Sequence, residues 1–453
     1  LVFLGFYLCD SITLEVFMIL YGVEIVDLSE EGNGIGRHEG KVVFVEGALP
    51  GEVVDVRVVK SKRKFDVGVV ECFGKLSDSR VSPGCRHFGV CGGCSLQHLS
   101  YGDSLVFKKR WVESDFRKIA GLDVVVEEVL ASPVVFGYRN KVVFHGFMDG
   151  SSFKLGYYRK GGRSFVEVSE CLLVPFLFIG LKGSVEKWCN ELGFFPGEVM
   201  FRVGKDGCVV VSFFGLLDVS CGFSEGVCGG VASFCLGSGF SVVGVVFFGE
   251  SGARVFSFGV VDLVMELGGR DFLFSPESFF QVNVSAAGVL FGELVGLLKE
   301  KGYSSGRLFD LYCGVGVVGV SLGFLFGSVF GFEVVESAVE LARVNAGSNG
   351  LVDFLFSAGR VVDFIRGVSF VGGDVVVVDP PRGGLESGVV DLIGKSGVGV
   401  VVYVGCGLGK MVRDVGGLVS FGFVVERVFC VDLFPWTGHV ETVALLTHRS
   451  SIG

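Results

Sequence analysis

The sequence predicts an α/β protein: a doubly wound, Rossmann-like domain over residues 269–453, preceded by a small OB-like β-barrel and a strand-rich middle domain. Two observations predict the doubly wound domain. Strand-like and helical segments alternate beyond Ser275, and the run Val376-Val377-Val378 is typical of a buried parallel strand. This run stops at Asp379, just before a proline pair, and open α/β sheets bind ligands where their strands end. We therefore expect Asp379 to lie at a binding edge.

Composition limits the class of protein. Apolar residues make up 50% of the 453 residues, and the mean hydropathy is +0.62. Two uncharged runs, 226–249 and 311–332, are long enough to cross a membrane, but both are rich in glycine, so we expect no membrane span. The net charge of −10 does not indicate a general nucleic-acid binder, which leaves local basic patches to be considered. The 14 cysteines favour a reducing cytoplasm, and a monomer is the default expectation.

The N-terminal region divides near residue 20. Residues 1–20 lack the basic start of a signal peptide and are interpreted as an extension, with Met18 as a candidate start. Between residues 21 and 75, short alternating strands separated by glycine turns predict a small barrel. The strands are expected at 23–26, 40–45, 51–58 and 65–70. A basic run, Lys60-Ser61-Lys62-Arg63-Lys64, belongs at a hairpin tip, where it is either simply solvated or an RNA contact.

Closely spaced thiols open the middle domain, predicted over residues 76–268. Cys85, Cys91 and Cys94 follow a Cys-x5-Cys-x2-Cys pattern. Such thiolates indicate a metal site that needs a fourth ligand, and Cys171 is the candidate downstream. The spacing alone leaves zinc and an iron–sulfur cluster equally open.

Basic residues follow the thiols. Residues 95–120 alternate at helical spacing and predict a helix with Lys108 and its basic neighbours on the wet side. Further on, Tyr138 beside Arg139 predicts a face on which an RNA base could stack next to a charge.

A glycine-rich turn follows the first strand of the C-terminal domain. The run is Asp310-Leu311-Tyr312-Cys313-Gly314-Val315-Gly316, and Glu333 follows the next apolar strand. Glycines allow the backbone to approach a ligand, and an acid after the second strand can accept ribose hydroxyls. The order of these residues predicts a site for a nucleoside-bearing cofactor.

A thiol and an acid follow Asp379. Cys406 lies in Val404-Gly405-Cys406-Gly407, and Glu441 ends Thr437-Gly438-His439-Val440-Glu441. A thiolate can add to an electron-poor ring, and a carboxylate can later remove a proton, so this pair could replace a ring hydrogen. Cys313, in the glycine-rich turn, is a second thiol that could be mistaken for the nucleophile.

These motifs resemble an ordered set found in one enzyme family. Phe280-Gln281-Val282-Asn283, the glycine-rich turn, Asp379-Pro380-Pro381-Arg382, the Cys406 run and the Glu441 run are similar to the motifs of S-adenosylmethionine-dependent RNA 5-methyluridine methyltransferases. The similarity extends over roughly residues 20–450 and is greatest to the branch with a TRAM domain and an iron–sulfur cluster that modifies 23S ribosomal RNA.

The resemblance implies a role for each site residue. Cys406 would attack C6 of a uracil and Glu441 would remove the proton from C5. S-adenosylmethionine would be bound by the residues equivalent to the family's cofactor contacts: Gln281, Tyr312, Gly314, Glu333 and Asp379. A 4Fe–4S cluster would be held by Cys85, Cys91, Cys94 and Cys171. The implied substrate is 23S ribosomal RNA rather than tRNA, with the target base single-stranded or flipped out.

One departure and two alternatives follow. The family usually has Ser-Cys-Asn-Pro around the nucleophile, whereas this chain has Gly405-Cys406-Gly407-Leu408, which weakens the expected preorganisation of the thiol. An amine-directed methyltransferase would leave Cys406 and Glu441 unused. A decayed methyltransferase fold acting as an RNA-binding assembly factor would bind RNA without methyl transfer.

Overall fold

The computed structural model describes residues 4–5, 17–216 and 224–449 of the chain. The chain divides into two compact units, one made of Leu1–Trp111 with Trp436–His439 and the other of Val112–Pro435 with Val440–Gly453. The proposed start at Met18 falls in a described strand, whereas most of the predicted extension lies outside the described residues. No helix in the described ranges is long and apolar enough to cross a membrane.

The first unit contains the barrel. Its strands are β1 (Leu4–Gly5), β2 (Phe17–Leu28), β3 (Asn33–His38), β4 (Lys41–Glu46), β5 (Val53–Ser61) and β6 (Phe65–Lys75). They pair in the order β1-β2-β3-β4-β6-β5, and an additional β2–β5 pairing closes the barrel. Inward-facing valines and isoleucine, among them Val23, Ile25, Val43 and Val54, form its core. The small barrel is therefore confirmed.

Strand β3 was not predicted, because its sequence Asn-Gly-Ile-Gly-Arg-His resembles a turn. Its glycines have a packing role. A Cβ at Gly36 would lie 2.6 Å from the Glu24 carbonyl oxygen, so only glycine lets β3 approach β2 this closely. The Lys60–Lys64 run occupies the tip of the β5–β6 hairpin, as expected, with Ser61 and Lys62 exposed.

Helix α1 (Tyr101–Asp115) leads from the first unit into the second and is followed by one π-helical turn, Phe116–Ala120. The prediction that Lys108 faces water is wrong, since Lys108 is fully buried. It lies on the same helical stripe as Ser104 and Trp111, four and three residues away, and both of these residues and the adjacent Phe107 are buried as well. Arg110 and Lys118 are exposed, as predicted.

The second unit begins with a mixed sheet. Its strands and helices are β7 (Lys141–Asp149), β8 (Ser152–Tyr158), β9 (Phe165–Glu167), α2 (Phe176–Leu192), β10 (Pro196–Val203), β11 (Val209–Leu216), α3 (Glu225–Leu236), β12 (Val242–Phe248) and β13 (Arg254–Gly259). The strand order is β13-β12-β11-β10-β7-β8-β9. A separate hairpin, β14 (Leu263–Leu267) and β15 (Arg270–Phe274), follows.

The remaining elements form the predicted doubly wound sheet. They are α4 (Val284–Glu300), β16 (Arg307–Leu311), α5 (Val317–Leu322), β17 (Ser328–Glu333), α6 (Glu336–Ser348), β18 (Phe354–Ala358), α7 (Val361–Ile365), β19 (Val375–Val378), α8 (Val389–Lys395), β20 (Val400–Gly405), α9 (Leu408–Ser420), β21 (Phe423–Val431) and β22 (Glu441–His448). The order is β18-β17-β16-β19-β20-β22-β21, with β22 antiparallel to its neighbours. The strand order reverses between β16 and β19, the position where such sheets bind ligands.

The apolar core of the doubly wound sheet also contains residues that precede position 268. Val210, Val246 and Phe248 of the mixed sheet share one buried cluster with Phe274 and Leu308. Asn140 adds a polar link, because its side-chain amide donates to the Gln281 carbonyl oxygen at 2.8 Å. The boundary predicted at 268/269 therefore falls within one compact unit and stays a prediction.

Candidate active site

Asp379 lies at the reversal point of the sheet. It directly follows β19, and its backbone N–H donates to the Leu311 carbonyl oxygen, the last residue of β16, at 3.4 Å. Burial raises the pKa of the Asp379 carboxyl to about 7. The expectation that this carboxyl lies at the carboxyl ends of parallel strands is confirmed.

The glycine-rich turn beside Asp379 is held by Glu333. The Glu333 carboxylate, at the end of β17, accepts hydrogen bonds from the backbone N–H groups of Gly314 at 3.2 Å and Val335 at 3.0 Å. Tyr312 and Gly314 have left-handed backbone conformations, with φ of 67° and 53°. A non-glycine residue at such a φ is uncommon, so the turn is fixed by its surroundings.

Asn345 fixes the same turn from behind, a role that the sequence did not reveal. Its side-chain amide donates to the carbonyl oxygens of Val315 and Leu273, both at 2.9 Å, and its oxygen accepts from the Leu273 N–H at 2.6 Å. The available signal was a polar residue on the apolar stripe of α6, next to Ala342 and Ala346 in the helical repeat.

Asp310 is a second carboxyl at this point and was not among the predicted site residues. It is fully buried, and its Oδ2 accepts the Gly319 N–H at 2.7 Å. Its Oδ1 has no hydrogen-bond partner within the described part of the chain. Burial, opposed by that hydrogen bond and reinforced by Asp379 and Glu333, raises the pKa of Asp310 to about 7. An incompletely satisfied buried acid indicates a place where a positively charged group is tolerated.

Cys406 and Glu441 meet at the next strand ends. Strands β20 and β22 are antiparallel, and Gly405 pairs with Thr442. The residue after Gly405, Cys406, is therefore adjacent to the residue before Thr442, Glu441. Glu441 is only 4% exposed. Burial and Asp379 raise the pKa of the Glu441 carboxyl well above its usual range, although Arg382 opposes this effect.

Arg382 joins this group. Burial and the neighbouring Glu441 raise the pKa of the Cys406 thiol, while a side-chain hydrogen bond from Arg382 lowers it, and the net effect is upward. Arg382 is therefore a cation in contact with the thiol and close to Glu441. Arg382 had no predicted role, although its position directly after the proline pair was a signal in the sequence.

Asp414 holds the loop that carries Arg382. Its Oδ2 accepts hydrogen bonds from the Tyr403 hydroxyl at 2.9 Å and from the Leu385 N–H at 2.8 Å. Its other oxygen accepts from Arg413 at 2.8 Å. Asp414 thus ties α9 to β20 and to the loop after Asp379. Nothing in the sequence indicated this role, because Asp414 is only a single acid in the middle of an amphipathic helix.

Gly407 explains the unusual sequence around the thiol. A Cβ at this position would lie 2.8 Å from the Arg382 carbonyl oxygen and 3.3 Å from its Cα. The absence of a side chain brings the Cys406 turn against the backbone of Arg382. The Cys406 turn is therefore packed directly on the Arg382 backbone.

Gln281 lies on a different loop. Asn140 holds its backbone through the Gln281 carbonyl, and the Asn140 N–H donates to the Val282 carbonyl oxygen at 3.0 Å. Asn283 caps α4, since its Oδ1 accepts the Ala286 N–H at 3.2 Å. The structure thus brings Asp379, Cys406 and Glu441 together and ties the glycine-rich turn of Tyr312 and Gly314 to Glu333. Gln281 lies on another loop, whose backbone is held by Asn140.

The predicted metal ligands are divided between the units. Cys85, Cys91 and Cys94 lie in the first unit, where the Gln97 amide donates to the Cys94 Sγ at 3.2 Å and its oxygen accepts the Cys85 N–H at 3.2 Å. Cys171 belongs to the second unit. No group of three or more His, Cys, Asp or Glu residues that could hold a metal ion occurs within the described ranges. The cluster remains a prediction.

Two further expectations concern reactive or stacking side chains. Cys313 is buried, which raises the pKa of its thiol well above the usual range, so it is poorly suited to act as a nucleophile. The prediction that Tyr138 offers an exposed stacking face is wrong, because Tyr138 is 7% exposed and its hydroxyl donates to the Pro435 carbonyl oxygen at 3.2 Å. The hydroxyl is satisfied inside the unit, so the ring packs there.

Two family models match the chain. Residues 21–69 match the TRAM domain, and residues 253–449 match the family described as tRNA (Uracil-5-)-methyltransferase. The first match coincides with most of the closed barrel, and the second contains the glycine-rich turn, Asp379, Cys406 and Glu441.

Full-length relatives show the same similarity. An uncharacterized RNA methyltransferase of Clostridium tetani is 30% identical over 94% of this chain and 96% of its own length. Another, from Clostridium acetobutylicum, is 32% identical over 94% of this chain and 97% of its own. The crystal structure of the Pyrococcus abyssi tRNA (uracil-54, C5)-methyltransferase in complex with S-adenosyl-L-homocysteine has a TM-score of 0.72 and 26% identity, covering 94% of this chain and 100% of that one.

Proposed function

Since the chain belongs to the tRNA (uracil-5-)-methyltransferase family of RNA methyltransferases, we propose that it transfers a methyl group from S-adenosylmethionine to C5 of a uridine in RNA. The observation that carries this proposal is the proximity of Cys406 and Glu441 at the adjoining ends of β20 and β22, next to Asp379. A reaction on an exocyclic amine needs neither a thiol nor this buried acid.

The thiol solves a chemical problem. C5 of uracil is a poor nucleophile, and addition of the Cys406 thiolate to C6 makes C5 an enolate carbon that can form a bond to a methyl group. Glu441 then takes the proton from C5, and the bond between C6 and the Cys406 sulfur breaks, restoring the ring. We assign to Asp379 a contact with the flipped uracil, the cofactor or both.

The pKa shifts of Cys406 and Glu441 suit this order of reaction steps. The raised pKa of Cys406 keeps it a thiol until a base removes its proton, and the Arg382 side chain stabilises the thiolate that forms. The raised pKa of Glu441 makes its carboxylate a better proton acceptor than an exposed glutamate. Arg382 therefore offsets the negative charge of both groups.

The second group of residues suits S-adenosylmethionine. We assign cofactor contacts to Gln281, Tyr312, Gly314, Glu333 and Asp379. Gly314 leaves backbone open to a ligand, and Glu333 stands at the end of the second strand, where a ribose is usually accepted. The buried Asp310 with Asp379 concentrates negative potential that a sulfonium cation would offset. S-adenosylmethionine, when bound, supplies an electrophilic methyl group.

The RNA substrate is proposed as 23S ribosomal RNA, which relatives with a TRAM domain and an iron–sulfur cluster modify. The TRAM match supports this choice. tRNA is the second candidate, because the Pyrococcus abyssi enzyme, named for a tRNA uracil, is similar over its whole length. We expect the protein to act in the cytoplasm as a monomer, without a membrane.

We also propose that Cys85, Cys91, Cys94 and Cys171 bind a 4Fe–4S cluster. Support comes from the thiol spacing and from the Gln97 N–H donated to the Cys94 sulfur, an interaction typical of cluster thiolates. The described residues do not gather three ligands, so no catalytic step is assigned to the cluster. Iron and acid-labile sulfide analysis of protein purified without oxygen tests it, and iron-free active protein would contradict it.

A covalent trapping experiment tests the main proposal. Protein and S-adenosylmethionine are mixed with 23S RNA, or with tRNA, each transcribed with 5-fluorouridine. Fluorine at C5 cannot leave as a proton, so the enzyme should remain attached to the RNA on a denaturing gel. We expect the adduct with one RNA and its loss in Cys406→Ala, with Cys313→Ala as the matched control.

The alternatives give different results. Methylation of an amine would continue in Cys406→Ala, and an assembly factor would bind RNA without transferring a methyl group. Either result would overturn the proposed function. An adduct with tRNA alone would replace the proposed substrate and leave the reaction unchanged.

A further inference from the structure

A row of aromatic rings crosses one face of the mixed sheet at its β7–β9 end. His145 of β7 lies 4.2 Å from Tyr158 of β8, and Tyr158 lies 5.0 Å from Phe165 of β9, measured between ring centroids. Phe165 stacks on Phe147 of β7 at 4.7 Å. The strand register requires this arrangement, because Tyr158 pairs with Phe165 and His145 pairs with Gly156.

The row lies on the open side of the sheet. Side chains of alternate residues, such as Phe153 and Leu155, are fully buried on the opposite side, where α2 packs. Tyr158 and Phe165 are each 36% exposed. Exposed rings in a row differ from isolated surface apolar residues, because together they present successive π-faces at one surface.

Positive charge flanks the rings. Arg159 and Arg163 lie in the exposed turn between β8 and β9. Two acids on the same face are already paired, Glu167 with Lys154 at 2.9 Å and Glu198 with His145 of the row at 3.1 Å. No ion pair of the described chain involves either arginine, so both guanidinium groups are available to an anion.

The same face leads to the candidate active site. Along β7, Lys141 lies on the side of the sheet that carries His145 and Phe147, and it pairs in register with Arg202 of β10. Arg202 donates to the carbonyl oxygens of Ser275 and Ser278, both at 2.8 Å, in the loop that leads to Gln281. The side of β7 that carries the rings therefore continues past Val143 to Lys141, whose strand partner Arg202 is bound to that loop.

We propose that this row, His145, Tyr158, Phe165 and Phe147 with Arg159 and Arg163, binds a single-stranded segment of the RNA that flanks the target uridine. Bases would stack on the exposed rings while the guanidinium groups contact phosphates. The inference rests on the proposed function and names the surface that holds its substrate. The similarity of the chain to RNA methyltransferases favours RNA over a protein partner as the occupant of this row.

Fluorescence anisotropy with a labelled oligouridine of about 12 nucleotides tests the aromatic part. Tyr158→Ala and Phe165→Ala should each weaken binding about 10-fold, the loss of one stacked base. Phe176→Ala is the matched control, because Phe176 is 89% exposed at the start of α2, which packs on the opposite side of the sheet. Tyr158→Leu keeps the apolar packing and removes the stacking face, so it decides the matter if Tyr158→Ala does not fold.

The salt dependence of binding tests the charged part. Replacing both Arg159 and Arg163 by Gln should reduce the slope of log Kd against log salt by about 1.4, or 0.7 per phosphate contact on a single strand. Lys187→Gln, on α2 with a side chain 73% exposed, should leave the slope unchanged. Wild-type slope and affinity in all row variants would overturn the inference.

Methylation assays separate this inference from the proposed function. The row variants should raise KM for RNA and leave kcat at saturating RNA near that of the wild type. Methyl transfer with unchanged KM in every variant would overturn the inference and leave the function standing. A wild-type protein that methylates no RNA would overturn the function, while anisotropy would still decide whether the row binds RNA.

Discussion

The two loops of the candidate active site are held in different ways. On the cofactor side, side chains anchor the backbone of the glycine-rich turn: Glu333 accepts from two N–H groups, and Asn345 binds Val315 and Leu273. On the thiol side, Cys406 is followed by Gly407, whose backbone packs against Arg382, and Asp414 holds only the neighbouring loop.

This difference separates binding from reactivity. A turn fixed by buried hydrogen bonds presents the same contacts before and after a ligand arrives, which favours tight binding. A thiol turn fixed by backbone packing keeps its sulfur beside a cation and an acid and leaves few side chains in the way of a base. Damage to the first loop should therefore affect cofactor affinity, and damage to the second should affect the rate.

The largest contrast should come from the two cysteines. Cys406→Ala is expected to reduce kcat by about 10⁴-fold or more, because the proposed addition to C6 then lacks its nucleophile. Cys313→Ala, in the cofactor turn, should change kcat by less than about 3-fold, since the buried thiol is protonated. Single-turnover methyl transfer measures both, and equal losses would contradict the assignment of the nucleophile.

The next largest effect concerns the stability of the folded chain. Asp310 has a pKa of about 7 when folded and about 3.8 when unfolded, so the folded state holds more protons between these values and its stability falls as pH rises through them. Asp310→Asn, which can still accept the Gly319 N–H, should stabilise the protein by up to about 4 kcal/mol above pH 7.

Near pH 4, Asp310→Asn should not differ in this way from the wild type, because the wild-type acid is then neutral in the folded state. Urea unfolding at both pH values measures the difference. A variant that is less stable than the wild type at alkaline pH would show that the Asp310 charge is compensated in the folded protein.

A smaller effect is expected at Glu333. Glu333→Gln removes the carboxylate that accepts hydrogen bonds from the Gly314 and Val335 N–H groups. The Kd for S-adenosylmethionine should rise about 10- to 100-fold, which corresponds to the loss of one or two hydrogen bonds to a charged group. Calorimetry measures the Kd. At saturating cofactor, kcat should stay within about 3-fold of the wild type. A fall in kcat with unchanged affinity would reverse the distinction between the loops.

The smallest effect tests the thiol turn. Gly407→Ala places a Cβ against the Arg382 carbonyl oxygen and should shift the Cys406 turn, lowering kcat about 10-fold with an unchanged Kd for S-adenosylmethionine. Gly409→Ala is the matched control, because a Cβ there would meet only the tip of Ile119 at 3.6 Å. Equal kcat in both variants would show that packing against Arg382 does not position the thiol.

The sequence revealed those parts of the site that lie at strand ends in a fixed order. Asp379, Glu333, Cys406 and Glu441 each begin or end a strand-like run, so the topology of a doubly wound sheet was enough to gather them at one edge. Their motif order added the identity of the chemistry.

The supporting residues were hidden for a physical reason. Asn345 acts through partners that are 30 and 72 positions away in the sequence. Asp414 acts through Tyr403 and Leu385. No local sequence pattern indicates such contacts. Lys108 was misplaced because a helical period gives a stripe, whereas burial depends on what packs against it. Tyr138 was misplaced because its position beside Arg139 carries no information about burial.

The shared core of the second unit has a consequence for how this chain can be divided. Phe274 and Leu308 belong to the same apolar cluster as Val210, Val246 and Phe248, on the other side of residue 268. A fragment beginning at residue 269 would expose that cluster to water and should be recovered as insoluble aggregate, which expression trials would show. We therefore expect that the methyltransferase domain of this chain does not fold when it is separated from the mixed sheet, and that recombination at residue 268 would join two parts that depend on each other for folding.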